Sequence, residues 1–170
     1  AAQTWVTSSP SMDISKASNF ERFVFDLMDR DGTQIRALWA EVGAGKGFDL
    51  QLQLDKIHEQ YGFAAAKSLH ADRLHTIAAV YAEDGELIDP HTADGIKVAR
   101  QLRQAGEKIV CLETALAAKF ADTIAEAVGK DIPIPRPAAL ADLETLPQRV
   151  TVLPNNPTAV KMVIKETLAG

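Results

Sequence analysis

Cys111 is the single cysteine in 170 residues. One thiol closes no internal disulfide and makes no cysteine-based zinc site. Long hydrophobic runs are missing too. Nothing approaches the roughly 18 apolar residues that span a bilayer, and no charged stretch followed by an apolar one opens the chain as a secretory signal would. Nor is there a basic excess. Lys and Arg number 18 against 23 Asp and Glu, a net charge of −5, so nucleic acid is not an expected partner. These absences lead to the expectation of a cytoplasmic protein that uses no membrane. What is present has ordinary globular proportions, 46% hydrophobic and 24% charged, which rules out wholesale disorder and suffices for one core. The chain starts at Ala1 rather than Met, which is compatible with a piece of something longer.

Periodicity predicts mostly helix. Ser18 and Glu21 form an S-x-x-E capping pattern ahead of Phe20, Phe23, Val24, Leu27 and Met28 at helical spacing. Asp31-Gly32 is read as the stop of that helix, with Gly32 just past its end. Ile35, Leu38, Trp39 and Val42 mark a second helix, closed by GAGKG at 43–47. A weaker helix is expected from about Leu54. Residues 70–83 read as helix up to Gly85. Asp89-Pro90 opens another, with Asp as N-cap and Pro in the first turn.

KIVCL at 108–112 has the short, apolar, β-branched character of a buried parallel strand, and RVTVL at 149–153 reads as a second strand. Residues 115–128 are expected as helix. DIPIPRP at 131–137 is a proline-rich connection. Asn156-Pro157 begins a last helix with Val160, Val163, Ile164 and Leu168 facing inward. Helix and strand alternate as in α/β folds, yet two strands make a poor sheet. The stretch 33–84 reads as a helical segment inserted before an α/β part at 86–170.

Most candidate chemistry has a plain explanation. GAGKG fails as a phosphate loop, because position 40 is Ala and position 47 is Gly where that pattern needs Gly and Ser or Thr. His70 and His75 are not spaced as an i, i+4 metal pair; with His58 and His91 they read as surface or supporting residues. Cys111 reads as packing. Thr114 stands just past the end of the first strand, where open parallel sheets dock ligands; its plainer role is to N-cap the following helix, and the two are compatible. Ser8, Ser9, Ser11 and Asp13 precede a helix whose first turns hold Asn19 and Arg22, an arrangement suited to anions but equally to ordinary capping.

Three strings, in order, carry a family resemblance. SPSMDISKASNFERFVFDL at 9–27, LIDPHTADGIKVA at 87–99 and CLETALAAKFADTI at 111–124 resemble the last third of threonine synthase of the longer bacterial and fungal type, and LPQRV at 146–150 fits as well. The resemblance implies a partial fold-type II pyridoxal-phosphate enzyme of α/β class, helix-rich with a few parallel strands, with residues 1–170 as its C-terminal portion. It implies a lyase of amino-acid synthesis that uses pyridoxal 5′-phosphate to convert O-phosphohomoserine and water to threonine and phosphate. It makes Thr114 the hydroxyl that meets the cofactor's pyridine nitrogen, and Ser11, Asp13, Asn19 and Arg22 candidates near the substrate. Lys119 belongs to the motif without an assigned role.

Two departures stand out. Ala117 replaces the proline of the Thr-Ala-x-Pro-Ala-Lys-Phe motif, which touches rigidity rather than chemistry. No Lys follows a Phe, and no Gly-Asn-Phe-Gly-Asp loop is present. The Schiff-base lysine and the phosphate cradle are thus expected in the N-terminal remainder of the same enzyme, and the 170 residues alone are expected to be inactive. The rival expectation is a non-catalytic binding or regulatory module derived from the same fold.

Overall fold

The computed structural model describes residues 4–14 and 16–169. Chain contacts divide it into two compact units, one up to Pro135 and one from Arg136 on. In the first, α1 (Ser18–Leu27) and α2 (Gly32–Gly43) pack together, and α3 (His70–Asp84) packs against α4 (Pro90–Leu102) and α5 (Ala121–Val128). The second unit holds a 3-10 turn, Ala138–Leu140, and α6 (Pro157–Ala169). No helix among the described residues is long and apolar enough to cross a membrane.

The core sits where α3, α4 and α5 meet. Ile77 and Val80 of α3, Ile88 just before α4, Ala93 of α4, Ala117 just before α5 and Ile124 of α5 form one buried cluster. Their spacing on each helix supplies the apolar stripe that such packing needs. Gly85 ends α3 in the left-handed conformation, φ 74°, which glycine adopts without steric cost. Asp89 caps α4 by accepting the His91 backbone N–H at 3.0 Å, with Pro90 in the first turn, as the sequence suggests.

Several expectations are corrected. Ser18 does not cap α1; Ala17 holds that position and no side-chain cap bond forms, because Ser18 is already the first helical residue. Gly32 does not end α1 either. The chain reverses at Asp29 and Arg30, with φ 54° and 64°, and Asp31 then caps α2, accepting Thr33 and Gln34 backbone N–H at 2.8 and 3.2 Å. Non-glycine residues carry this left-handed turn because Lys56 Nζ donates to the Leu27 carbonyl at 2.8 Å and to Asp29 Oδ1 at 2.7 Å, closing the helix end from outside. The weak helix near Leu54 is present as a 3-10 turn at Gln51–Gln53 running into a π turn at Lys56–Gln60.

The strands are the largest difference. Among the described residues no strand is formed, and 108–112 and 149–153 are irregular. A strand exists only through its ladder partners. Here Val110 and Leu112 are 85% and 81% exposed, and Val152 90%. The described chain is therefore helical, and the α/β alternation is not realised within it. The helix expected over 115–128 starts later, as a 3-10 turn Ala117–Phe120 leading into α5. In α6, Val160, Ile164 and Leu168 are exposed rather than inward.

Candidate functional site

The site is built on a strap, residues 7–14, laid across the helices of the core. Asp13 shapes the strap from within. Its carboxylate accepts the Thr7 backbone N–H at 2.7 Å and the Thr7 hydroxyl at 2.9 Å, so both oxygens are used in closing the loop. The chain between them makes one 3-10 turn, Pro10–Met12. Ser9 is fully buried and its hydroxyl finds no partner among the described residues.

Two ties fix the strap to the helices. The first begins at Arg73, whose guanidinium is buried and paired with Asp94 at 2.8 Å. Its Nη1 donates to Ser8 Oγ at 3.1 Å, and Ser8 Oγ lies 2.8 Å from His70 Nδ1. His70 Nε2 lies 3.1 Å from Glu126 of α5. Arginine can only donate. One consistent proton order then runs from Arg73 through Ser8 and His70 to Glu126.

The second tie is at His91. Its Nε2 lies 3.1 Å from the Ser11 backbone nitrogen. Its Nδ1 lies 2.5 Å from Asp89 Oδ1. Asp89 is fully buried and also takes the Thr92 hydroxyl. The His91 ring rests edge-on against Phe120, centroids 4.9 Å apart. A backbone N–H can only donate, so Nε2 presents a lone pair to Ser11 and Nδ1 carries the ring proton toward Asp89.

The candidates from the sequence fall into three groups. Ser11 and Asp13 share the strap, and Ser11 reaches α4 through His91. Asn19 and Arg22 are exposed on α1, and Asn19 Oδ1 accepts the Phe20 N–H at 2.9 Å. Thr114 is exposed and caps no helix, since Leu116 and Phe120 hold the N-cap positions that follow. Its neighbours Glu113 and Leu116 line a cavity of about 620 Å³ together with Leu87, Ala117, Pro133 and Pro135. No hydrogen bond or ion pair among the described residues joins Thr114 to the other four.

Sequence reasoning read Asp89 as an N-cap alone and His91 as a surface or supporting residue, and it passed over Arg73. The signal was there for Asp89 and His91. An N-cap Asp followed two residues later by His places a carboxylate and an imidazole on one helix end. Nothing local shows that Ser11, 80 residues away, completes the set.

The C-terminal threonine synthase family model matches residues 92–164. The threonine synthase of Methylobacillus glycogenes is 51% identical over 168 residues, 98% of this chain and 35% of that protein. The threonine synthase of Corynebacterium glutamicum is 50% identical over 174 aligned positions, 100% of this chain and 36% of that protein. The chain belongs to the threonine synthase family. A crystal structure of threonine synthase from Brucella melitensis with pyridoxal phosphate bound superimposes with a TM-score of 0.79 at 36% identity, covering 96% of this chain and 35% of that one. The chain thus spans about a third of the length of the threonine synthases it matches, and the matched family model is that of their C-terminal part.

The three strings that resemble threonine synthase meet at one side chain. His91 belongs to the second, Ser11 to the first and Phe120 to the third, and His91 touches both others.

Proposed function

We propose that this chain is the C-terminal part of a pyridoxal-phosphate-dependent threonine synthase that converts O-phosphohomoserine and water to threonine and phosphate. The observation that carries this is identity of about half over the whole chain with the threonine synthases of two bacteria. The whole enzyme on this reading is α/β of fold type II. The structure here contributes a helical layer and the segments 108–112 and 149–153, whose exposed valines await ladder partners. The remainder of the polypeptide is the partner this requires. It must bring the lysine that binds the cofactor's aldehyde, the backbone cradle for its phosphate, and the sheet edges.

Bound pyridoxal phosphate would supply the electron sink for breaking bonds next to the amino-acid nitrogen. Thr114 fits such a group at one point. Its side chain is exposed and unused as a cap, and a hydroxyl can either donate to or accept from a ring nitrogen. Unlike a carboxylate, a neutral hydroxyl does not force that nitrogen to hold a proton, so it moderates the sink. Ser11, Asp13, Asn19 and Arg22 are assigned to the substrate side, where Arg22 offers a cation and Ser11 a hydroxyl to a phosphate ester.

Thr114→Val in the enzyme that carries this chain tests the assignment. The cofactor absorbance is expected to move, and kcat to fall by about tenfold or more, the loss of one hydrogen bond to a charged or polar group. An unchanged spectrum and rate remove Thr114 from the site. The 170 residues alone are expected to release no phosphate from O-phosphohomoserine; turnover by them alone defeats the reading.

A further inference from the structure

All three strings shared with the family converge on His91, yet the reaction as read above gives that residue no part. Its geometry is specific. The side chain is 6% exposed, and Asp89 beside it is wholly buried. Asp89 is held in turn by the His91 backbone N–H and the Thr92 hydroxyl. A carboxylate accepting from one imidazole nitrogen fixes both the ring's orientation and which nitrogen keeps the proton. The other nitrogen then offers one lone pair in one direction, and the Ser11 backbone N–H fills it at 3.1 Å. Phe120 closes one side of the ring at 4.9 Å between centroids, so the ring cannot swing away without losing that contact.

We propose that Asp89 and His91 are a positioning pair for the substrate site, in which the oriented Nε2 lone pair holds the Pro10–Met12 turn where Ser11 meets the substrate. This rests on the assignment of Ser11 to the substrate given above. The pair touches no reacting atom. It acts through the backbone of Ser11, and Phe120 ties it to the segment that begins at Thr114.

Two substitutions separate the functions of the ring. Asparagine places its amide near the position of Nδ1, so His91→Asn keeps a donor for Asp89 and removes the acceptor for Ser11. Glutamine reaches the position of Nε2, so His91→Gln keeps an acceptor for Ser11. In the enzyme that carries this chain, His91→Asn is expected to raise KM for O-phosphohomoserine about tenfold with kcat changed less than about threefold, the size of one hydrogen bond lost from a binding contact. It is also expected to shift the Ser11 amide resonance. His91→Gln should bring KM back to within about threefold and leave that resonance near its original place. In the unsubstituted protein, imidazole nitrogen spectra should show a protonated Nδ1 and a bare Nε2.

A proton on Nε2, or a Ser11 resonance unmoved in His91→Asn, overturns the pair as a positioning device. A moved resonance with unchanged KM overturns the proposal at Ser11's contact with substrate. Should His91→Asn fail to fold, the ring spectrum of the unsubstituted protein and the KM of His91→Gln decide alone: a bare Nε2 with KM restored supports the pair, and a tenfold KM rise in His91→Gln overturns it. Loss of phosphate release by the unsubstituted enzyme would instead defeat the threonine synthase reading, and the spectrum would still judge the pair.

Discussion

Two helices of similar character have opposite fates in this chain. Helix α3 carries Leu74, Ile77, Val80 and Tyr81, and it buries Ile77 completely against α4 and α5. Helix α6 carries Val160, Met162, Val163, Ile164 and Leu168, and none of its residues is buried. Both have a helical pattern, and both form. The difference teaches that periodicity specifies a helix and the face it offers, while burial depends on a partner surface that the helix's own sequence does not encode.

The sharpest way to break that comparison is to cut the same side chain in both places. Ile77→Ala and Ile124→Ala each remove a fully buried side chain from the cluster and are expected to cost about 2–5 kcal/mol in urea denaturation. Ile164→Ala in α6, where the side chain is 52% exposed, is expected to stay within about 0.5 kcal/mol of the starting protein. An equal loss at Ile164 would mean that α6 is packed in solution and that the contrast with α3 is false.

Ion pairs extend the same contrast. Arg73 and Asp94 keep only 8% and 17% of their side chains exposed, and Arg73 also supports Ser8. Arg73→Met leaves a mostly buried carboxylate without its counter-charge and is expected to cost about 3 kcal/mol. Arg100 and Glu83 form a pair whose side chains are 47% and 55% exposed. Arg100→Met is expected to cost less than about 1 kcal/mol, and less still in high salt. Thermal unfolding of the two variants at two salt concentrations checks both.

What the sequence made legible follows the same division. The α3 end at Gly85 and the α4 start at Asp89-Pro90 were readable because the turn and cap chemistry is local. The α1–α2 junction was not, since Asp29 and Arg30 take left-handed backbone that Lys56, distant in sequence, holds in place. Residues 108–112 have the composition of a strand, but Val110 and Leu112 lie exposed because a ladder is a property of at least two segments. Thr114 was read as ligand contact or cap, and the later start of the following helix removes the cap. The strap residues Ser11 and Asp13 were picked out as a polar cluster, but the groups that fix them, His91 and Thr7, were invisible as partners. Local rules name the candidates, and only tertiary contact shows which groups hold them.

The smallest expected effect lies at the surface of α1, where charge rather than packing ties helix to loop. The Asp26 carboxylate accepts from Arg30 Nε at 2.8 Å and from the Tyr61 hydroxyl at 3.0 Å. Arg30 first, then Tyr61, favours the charged form and holds this carboxyl below its ordinary value of 3.8. The folded state therefore binds the Asp26 proton less readily than the unfolded state does. That contribution to stability is present above the unfolded pKa and is lost as pH falls through the lower, folded value. The window lies below about pH 4. Asp26→Asn should remove part of the acid slope of stability in that window and leave stability near neutral pH little changed, because an exposed pair contributes little there. Tyr61→Phe should move the Asp26 carboxyl titration, followed by carbon NMR, upward toward 3.8. An unmoved titration would assign the whole effect to Arg30.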